Sequence, residues 1–530
     1  MLKQVAMKVN QANMVKSLKF SFTNKTTTLG ELMQNARRAG ATKVSFHYNE
    51  DSKELVVNDD GTGISDMEAL LTVAESGWDA DTMALEHPFG IGFLSAIFAC
   101  KHIEVSSVGG HFKAPTEDIL AFKPITIKPI VWLGTTQIRL TGVDLTLSEL
   151  QNHLTKLARG FPIPVELNGV SLDRPDALNS ERTFIDTVIG QACLSGINNL
   201  TDNYSTYLAV YLQGLPVYNT SGYYLDSDRN AVHLDSAQFY ARLPDRDKLI
   251  DEKDVIERVT STLKFELRNK FIEAKKTLTP AEMVGFYRLL KSWDCLDLLN
   301  DVPVLPSRIL SRIGYYPNCS ADNHGDFYTL VPEILSKEEV ETLGVVSFDV
   351  EMEDDGAALH MFAFNQDSLI YQYGLDAGHW LHDHIKFLKD PIVELINESA
   401  TIWFNGDWVP SYVKFCDAYT IQVGDDVITI SNDSMWAGGG LGVIVPKGDT
   451  SGEVVKQISS FTDNDDFQEL ACKSEVHDFS NFVVSNTSAS PTDALLKLLP
   501  NFSGCPMLHG GTFTISVNYQ GQAFQISQVA

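Results

Sequence analysis

The chain has 530 residues, 44% of them hydrophobic and 21% charged, with 41 Lys and Arg against 69 Asp and Glu for a net charge of −28. At roughly 100–200 residues per domain, this length makes about three domains, each able to bury a core. No apolar run approaches the ~18 residues of a membrane span, and residues 1–20 carry four lysines without an apolar segment, so neither an anchor nor a signal peptide is expected. The seven cysteines have no CxxC spacing, which points to a reduced, cytoplasmic protein.

Residues 29–39 are expected to form a helix, because Leu29, Leu32, Met33 and Ala36 recur at helical spacing. Strands are expected at Lys43–Tyr48 and Glu54–Asn58, and Val131–Leu140 reads as two strands around a turn. A helix over 146–159 is followed by Pro162 and Pro164 and by the hairpin signal Asn168-Gly169. A domain boundary is placed at 175. Leu208–Leu212 and Ala231–Leu234 then read as strands. The clearest helix is 252–276, with Val255, Ile256, Val259, Leu263, Leu267 and Phe271 on one stripe. Pro280–Leu299 reads as a further helix. Pro303 and Pro306 mark a second boundary at 310. Short β-type runs follow at Ala400–Phe404, Val427–Ile430, Gly442–Val445 and Thr512–Val517.

Charge is uneven along this order. Residues 1–170 hold 16 basic and 18 acidic side chains, 171–330 hold 17 and 22, and 331–530 hold 8 and 29, a net of −21. Affinity for nucleic acid comes largely from Lys and Arg on phosphates, so the final 200 residues are a poor surface for it. Their acidity is either plain solvated surface or a surface for a basic protein partner.

Three segments carry the chemistry. Glu31 and Asn35 are four apart on the expected helix and project together, suited to holding a water and a magnesium ion. Asp59-Asp-Gly-Thr-Gly63 follows a strand. There a carboxylate can accept from an exocyclic amine while Gly61 and Gly63 let the backbone approach a flat ring. Gly90-Ile-Gly92-Phe-Leu-Ser95 opens an apolar helix, whose N-terminal amides suit phosphate. Each alone is weak: a solvated Glu/Asn pair, an Asp-Gly turn, and glycines before a helix are all common.

In this order the three resemble the boxes of the Bergerat ATP-binding fold of the GHKL ATPases, the group of DNA gyrase, the ninety-kilodalton heat-shock chaperone, histidine kinases and MutL. Gly134-Thr135 resembles the fourth element. Thr23-Asn-Lys, Ala74-Glu-Ser-Gly77 and Phe89–Ala96 resemble the chaperone branch, and Ala39-Gly-Ala-Thr42 the MutL branch. The resemblance covers about residues 20–170. Two positions depart from relatives: Gly30, where the chaperone has Arg, and Arg38, where many have Asp.

The resemblance implies an α+β protein in three parts. Residues 1–175 would be a Bergerat α/β sandwich, 176–310 a ribosomal-protein-type transducer, and 311–530 an acidic, β-rich α+β region. It implies ATP and Mg2+ as cofactors. Asp59 and Thr135 would hold the adenine, Gly61, Gly63, Gly90 and Gly92 would line the nucleotide, Asn35 would ligate the metal, and Glu31 would activate water. Transducers in such enzymes supply a cation to the γ-phosphate. In Ala241–Lys248 the candidates are Arg242, Arg246 and Lys248, with a solvated loop as the alternative. The lid would be residues 74–90.

The leading reading is an ATPase switch, dimerising through its first domain, with a chaperone-like or remodelling role and a protein client. The competing readings are a non-catalytic nucleotide-binding scaffold of phage or mobile-element type, and a MutL- or topoisomerase-like nucleic-acid clamp. A histidine kinase is disfavoured, because only thirty residues precede Glu31. Other signals are read as structural: His379, His382 and His384 as surface histidines, Gly438–Gly442 as a turn, and Trp78 and His87 as packing beside the lid.

Overall fold

A computed structural model describes residues 10–19, 26–72, 92–195, 205–220, 229–242, 246–314, 328–348, 356–457, 462–463, 466–518 and 523–529. The expected lid with Trp78 and His87, Gly90, and the Thr23-Asn-Lys segment lie outside the described residues. The chain divides into two compact units, Met1–Thr279 with Phe286–Cys295, and Pro280–Gly285 with Leu296–Ala530.

In the first unit, helices α1 (Gln11–Lys19) and α2 (Thr27–Arg38) precede strands β1 (Val44–Asn49) and β2 (Glu54–Asp59). Next come α3 (Met67–Leu71), α4 (Gly92–Ala99), β3 (His102–Ser107), β4 (Gly110–Pro115), α5 (Thr116–Leu120) and β5 (Thr136–Thr141). Helix α6 (Leu147–Ala158) and strands β6 (Val165–Leu167) and β7 (Val170–Ser171) complete a seven-stranded sheet of order β4-β3-β5-β2-β1-β6-β7. Neighbours are antiparallel except β1 and β6. Along β1 and β5 every second residue is buried, the pattern of a sheet with one covered face. The cover is Leu29, Leu32, Met33 and Ala36 of α2, Phe93, Leu94 and Ile97 of α4, and Leu150 and Leu154 of α6, all in one core with Phe46, Leu55 and Leu140. Thr146 and Glu149 form a capping box that starts α6. Asn168 and Gly169 take φ of 49° and 81°, making the tight β6–β7 turn.

A second sheet in the same unit is built from β8 (Ile185–Thr187), β9 (Gly190–Cys193), β10 (Leu208–Leu212), β11 (Leu215–Asn219) and β12 (Asn230–Leu234), in the order β11-β10-β12-β9-β8. β10 and β12 are parallel and buried at every position. Helix α7 (Glu252–Ala274) buries Val259, Leu263, Leu267 and Phe271. Asp176, in the connection between the sheets, is fully buried. Its carboxylate accepts from Arg159 Nε at 3.1 Å, Arg182 Nη1 at 2.7 Å and the Tyr211 hydroxyl at 2.6 Å, and its carbonyl accepts from His233 Nε2 at 2.7 Å. Burial alone raises the Asp176 carboxyl, but the Tyr211 hydrogen bond and the two guanidinium groups outweigh it and hold it below its usual value. Burial lowers the His233 imidazole, which stacks on Tyr211 at 4.9 Å.

Among its described residues the second unit holds three sheets of three or more strands and two two-stranded ones, Thr462–Asp463 with Asp466–Phe467 and Thr512–Val517 with Ala523–Val529. Strands β13 (Ser311–Ile313), β14 (Tyr328–Leu330), β15 (Val345–Ser347), β16 (Leu369–Ile370) and β17 (Ile385–Phe387) form a sheet ordered β14-β13-β16-β15-β17. Next, β18 (Ile392–Ile396), β21 (Ala418–Val423) and β22 (Asp426–Ile430) pair antiparallel. The third sheet joins β19 (Ala400–Asn405), β20 (Pro410–Cys416), β24 (Val443–Pro446) and β23 (Met435–Trp436), and it packs on the helix Glu469–Thr487 through Phe404, Phe415 and Phe479. The described residues are thus mixed α and β, as expected.

Three expectations change. Val131–Leu140 is not a strand pair: only β5 forms, and Val131 and Leu133 are 87% and 89% exposed. Pro129 and the positive φ of Gly134 interrupt it, and the Trp132 indole closes a turn by donating to the Thr135 carbonyl. Pro280–Leu299 is three short helical pieces, Pro280–Gly285, Tyr287–Ser292 and Leu296–Leu299, interrupted at Gly285 and at the left-handed Asp294. His379 is not a surface residue. It is 2% exposed, its Nδ1 accepts from the Leu381 amide, and burial pushes it down to about 4. Among the described residues, no group of His, Cys, Asp and Glu is arranged to hold a metal, and no helix is long and apolar enough to cross a membrane.

Asp176→Ala strands two partly buried guanidinium groups, so a loss of about 3–5 kcal/mol is expected in denaturant unfolding. The wild-type melting temperature should fall on acidification. His233 has a depressed folded value, so its contribution is complete above the ordinary 6.5 and is lost below it; Asp176 follows below 3.8. A flat profile from pH 7 to 3 contradicts this.

Candidate active site

Helix α2 is amphipathic, yet its polar side is covered as well: Glu31 and Gln34 are buried beside the apolar stripe. A buried carboxylate needs a partner. Glu31 meets Arg246, with Nε 3.2 Å from Oε1 and side chains 13% and 8% exposed. Arg246 sits in a turn closed by the Ala241–Leu249 bridge, by Arg242 N–H to the Lys248 carbonyl, and by Arg246 N–H to the Arg242 carbonyl. Its φ of +52° is left-handed, a costly conformation for a residue with a side chain. Of the three expected cations, Arg246 alone is placed on Glu31; Arg242 and Lys248 are exposed.

Gly92, the first residue of α4, faces the other carboxylate oxygen. A Cβ there would lie 2.1 Å from Glu31 Oε2 and 2.8 Å from its Cδ. This glycine is required for close approach and not for its backbone angle. Asn35, one turn after Glu31, is half-buried, and its carbonyl accepts from the Ala39 amide at the helix end. Glu31 and Asn35 present only oxygen donors, which suits a hard cation such as magnesium better than zinc.

Asp59 ends β2, in register with Val44 on β1 and Thr136 on β5. Its Oδ1 accepts from the Gly61 amide at 3.0 Å, which fixes the carboxylate's orientation. Burial raises its carboxyl, the Gly61 bond opposes this, and Asp60 adds to the rise. Asp60 is structural: it accepts from the Thr42 and Lys43 amides and the Thr42 hydroxyl. Gly61 packs on the end of α2, where a Cβ would be 2.7 Å from that of Ala39, and the Thr62 amide donates to the Ala39 carbonyl. The helix that carries Glu31 and Asn35 is thereby tied to the loop that carries Asp59. Gly63 takes φ +81° beside Ser107 and Trp132.

Thr135, expected beside the adenine, and its neighbour Thr136 face opposite sides. Thr135 is exposed, whereas Thr136 is buried, shares the sheet face of Asp59, and lies 2.8 Å from the Ser107 hydroxyl. The two departures from relatives also find a place. A Cβ on Gly30 would face Leu215 of β11 at 3.5 Å, and Arg38 reaches the Gln213 side chain at 3.5 Å. Gln34 Nε2 donates to the Gln213 carbonyl at 2.8 Å. The β10–β11 hairpin of the second sheet therefore rests on the helix that carries Glu31.

Residues 23–120 match the family model described as histidine kinase-, DNA gyrase B- and HSP90-like ATPase. The span takes in Glu31, Asn35, Asp59 and Gly92, and the chain carries a GHKL-superfamily ATPase domain there. No curated protein matches the chain in sequence.

Gly92→Ala forces the Glu31 carboxylate aside. The expected result is a folded protein with ATP turnover at least about tenfold slower, since misplacing a catalytic group by an ångström costs that much or more; wild-type turnover contradicts it.

Proposed function

We propose that the protein is a Mg2+-dependent ATP hydrolase in which Glu31 is the general base and Arg246, from the turn that follows the second sheet, is the cation for the γ-phosphate. The observation that carries this is the Glu31–Arg246 contact, which joins an ATPase-domain carboxylate to a guanidinium from the turn that follows the five-stranded sheet. Asp59 and Thr136 receive the base, and the backbone around Gly92 lies along the phosphates. Asn35 would hold a magnesium ion, which would supply positive charge to the phosphates.

In this mechanism Glu31 and Arg246 neutralise one another before nucleotide arrives. A γ-phosphate competes for the guanidinium, and the carboxylate is released to take a proton from water. The water oxygen bonds to the γ-phosphorus, the bond to the β–γ bridging oxygen breaks, and ADP leaves with that electron pair. Positive charge at the γ-phosphate is the larger contribution in such reactions. Closure around ATP would reposition the second sheet and promote dimerisation, with the acidic final third engaging a basic client; a shift in size-exclusion mass with a non-hydrolysable analogue tests the dimer. A nucleic-acid clamp is disfavoured by the net of −21 over residues 331–530.

Glu31→Gln should retain ATP binding while kcat falls about 10²–10⁴-fold. Arg246→Ala should also lower kcat strongly, and Lys248→Ala should leave it near wild type. Steady-state turnover decides: an unchanged kcat in Arg246→Ala removes that residue from the mechanism, and tight binding without wild-type turnover favours the scaffold reading.

A further inference from the structure

Thr136, Asp59 and Val44 lie directly opposite one another across β5, β2 and β1, and Ser107, one residue beyond the Ser106–Gln137 pair of β3 and β5, sits beside Thr136 on the same sheet face. Val44 shows that this is the core face, since it is fully buried. Three polar residues on such a face are out of place in a core unless they serve a ligand or each other. Ser107 has no role in any motif, yet it is 0% exposed. Its Oγ accepts from the Ile64 amide at 2.7 Å and lies 2.8 Å from Thr136 Oγ1. The β3–β4 turn holds the same loop again, through the Gly109 amide on the Ile64 carbonyl at 2.8 Å.

We infer that Ser107 is a positioning residue that sets the direction of the Thr136 hydroxyl and thereby makes the site select a 6-amino over a 6-oxo purine nucleotide. The inference rests on the ATP reading given above and deepens it. A hydroxyl has one hydrogen to donate. If Thr136 donated to Ser107, the Ser107 hydrogen would need another acceptor, and among the described residues its only neighbours are Ile64 N–H and Thr136 Oγ1. A buried donor left unmade is costly. Ser107 therefore donates to Thr136, and the Thr136 hydrogen is free to point to the ligand. The Asp59 carboxylate then offers an acceptor beside a hydroxyl donor. An adenine edge brings the matching amine donor and ring-nitrogen acceptor. Inosine brings a carbonyl oxygen against the carboxylate and a ring N–H against the hydroxyl hydrogen.

The test is the ratio of ATP to ITP dissociation constants, measured on the full chain by calorimetry, with turnover alongside. Wild type should prefer ATP. Ser107→Ala should cut that preference by about tenfold or more, the worth of a misdirected buried hydrogen bond, raising KM for ATP with a smaller change in kcat. Thr136→Val should do the same, Thr136→Ser should keep the wild-type ratio, and Ser107→Ala with Thr136→Val should be no worse than Thr136→Val alone. Ser107→Cys, close in shape but a weak donor, reports in the same direction if the alanine variant does not fold. A wild-type ratio in Ser107→Ala or Ser107→Cys overturns the inference, as do additive losses in the double variant. The two levels separate in wild type: no ATP affinity sinks the ATP reading, whereas ATP bound without preference over ITP sinks this inference alone.

Discussion

The first unit brings its two sheets together at one buried contact, that of Glu31 with Arg246. Neither charge is stable alone in a site this enclosed, and each is supplied by a different sheet. The carboxylate comes from the helix that lies on the seven-stranded sheet. The guanidinium comes from a left-handed turn that follows the five-stranded one. Gly92 closes the third side, since any side chain there would displace the carboxylate. The pair therefore ties the helix on one sheet to the turn that follows the other.

Two further contacts hold the sheets so that the pair can form. Asp176 gathers Arg159, Arg182, Tyr211 and the His233 ring into one buried joint. The β10–β11 hairpin meets α2 through Gln213 and Leu215. A buried ionic joint adds little net stability over an apolar one, but it is expensive to break by halves. Gly30 and Arg38, which look anomalous beside relatives, are the residues that receive the hairpin.

The ATPase domain and the helix and strand end that carry Glu31, Asn35 and Asp59 were legible in the sequence because their signals are local. The four-residue spacing of Glu31 and Asn35 fixes their helix face, and Asp59 with its glycines marks a strand end. The family match over 23–120 spans the same segments. What was not legible depends on long-range pairing. Register alone buries Thr136 and exposes Thr135, and only the closed turn brings Arg246, of three nearby cations, to Glu31. Ser107 and Asp176 are single polar residues with no spacing to mark them, and their importance appears only when distant strands bring partners to them. In the second unit the short strand segments were visible, but β15 lies parallel to both β16 and β17, a pairing that no local pattern encodes.

The most direct measurement of the central claim compares affinities for a non-hydrolysable ATP analogue and for ADP in wild type and in Arg246→Ala. If Arg246 moves from Glu31 to the γ-phosphate, wild type binds the triphosphate more tightly than ADP, and the variant loses that difference while still binding ADP. An Arg246→Ala protein that keeps the full preference for the triphosphate contradicts the account.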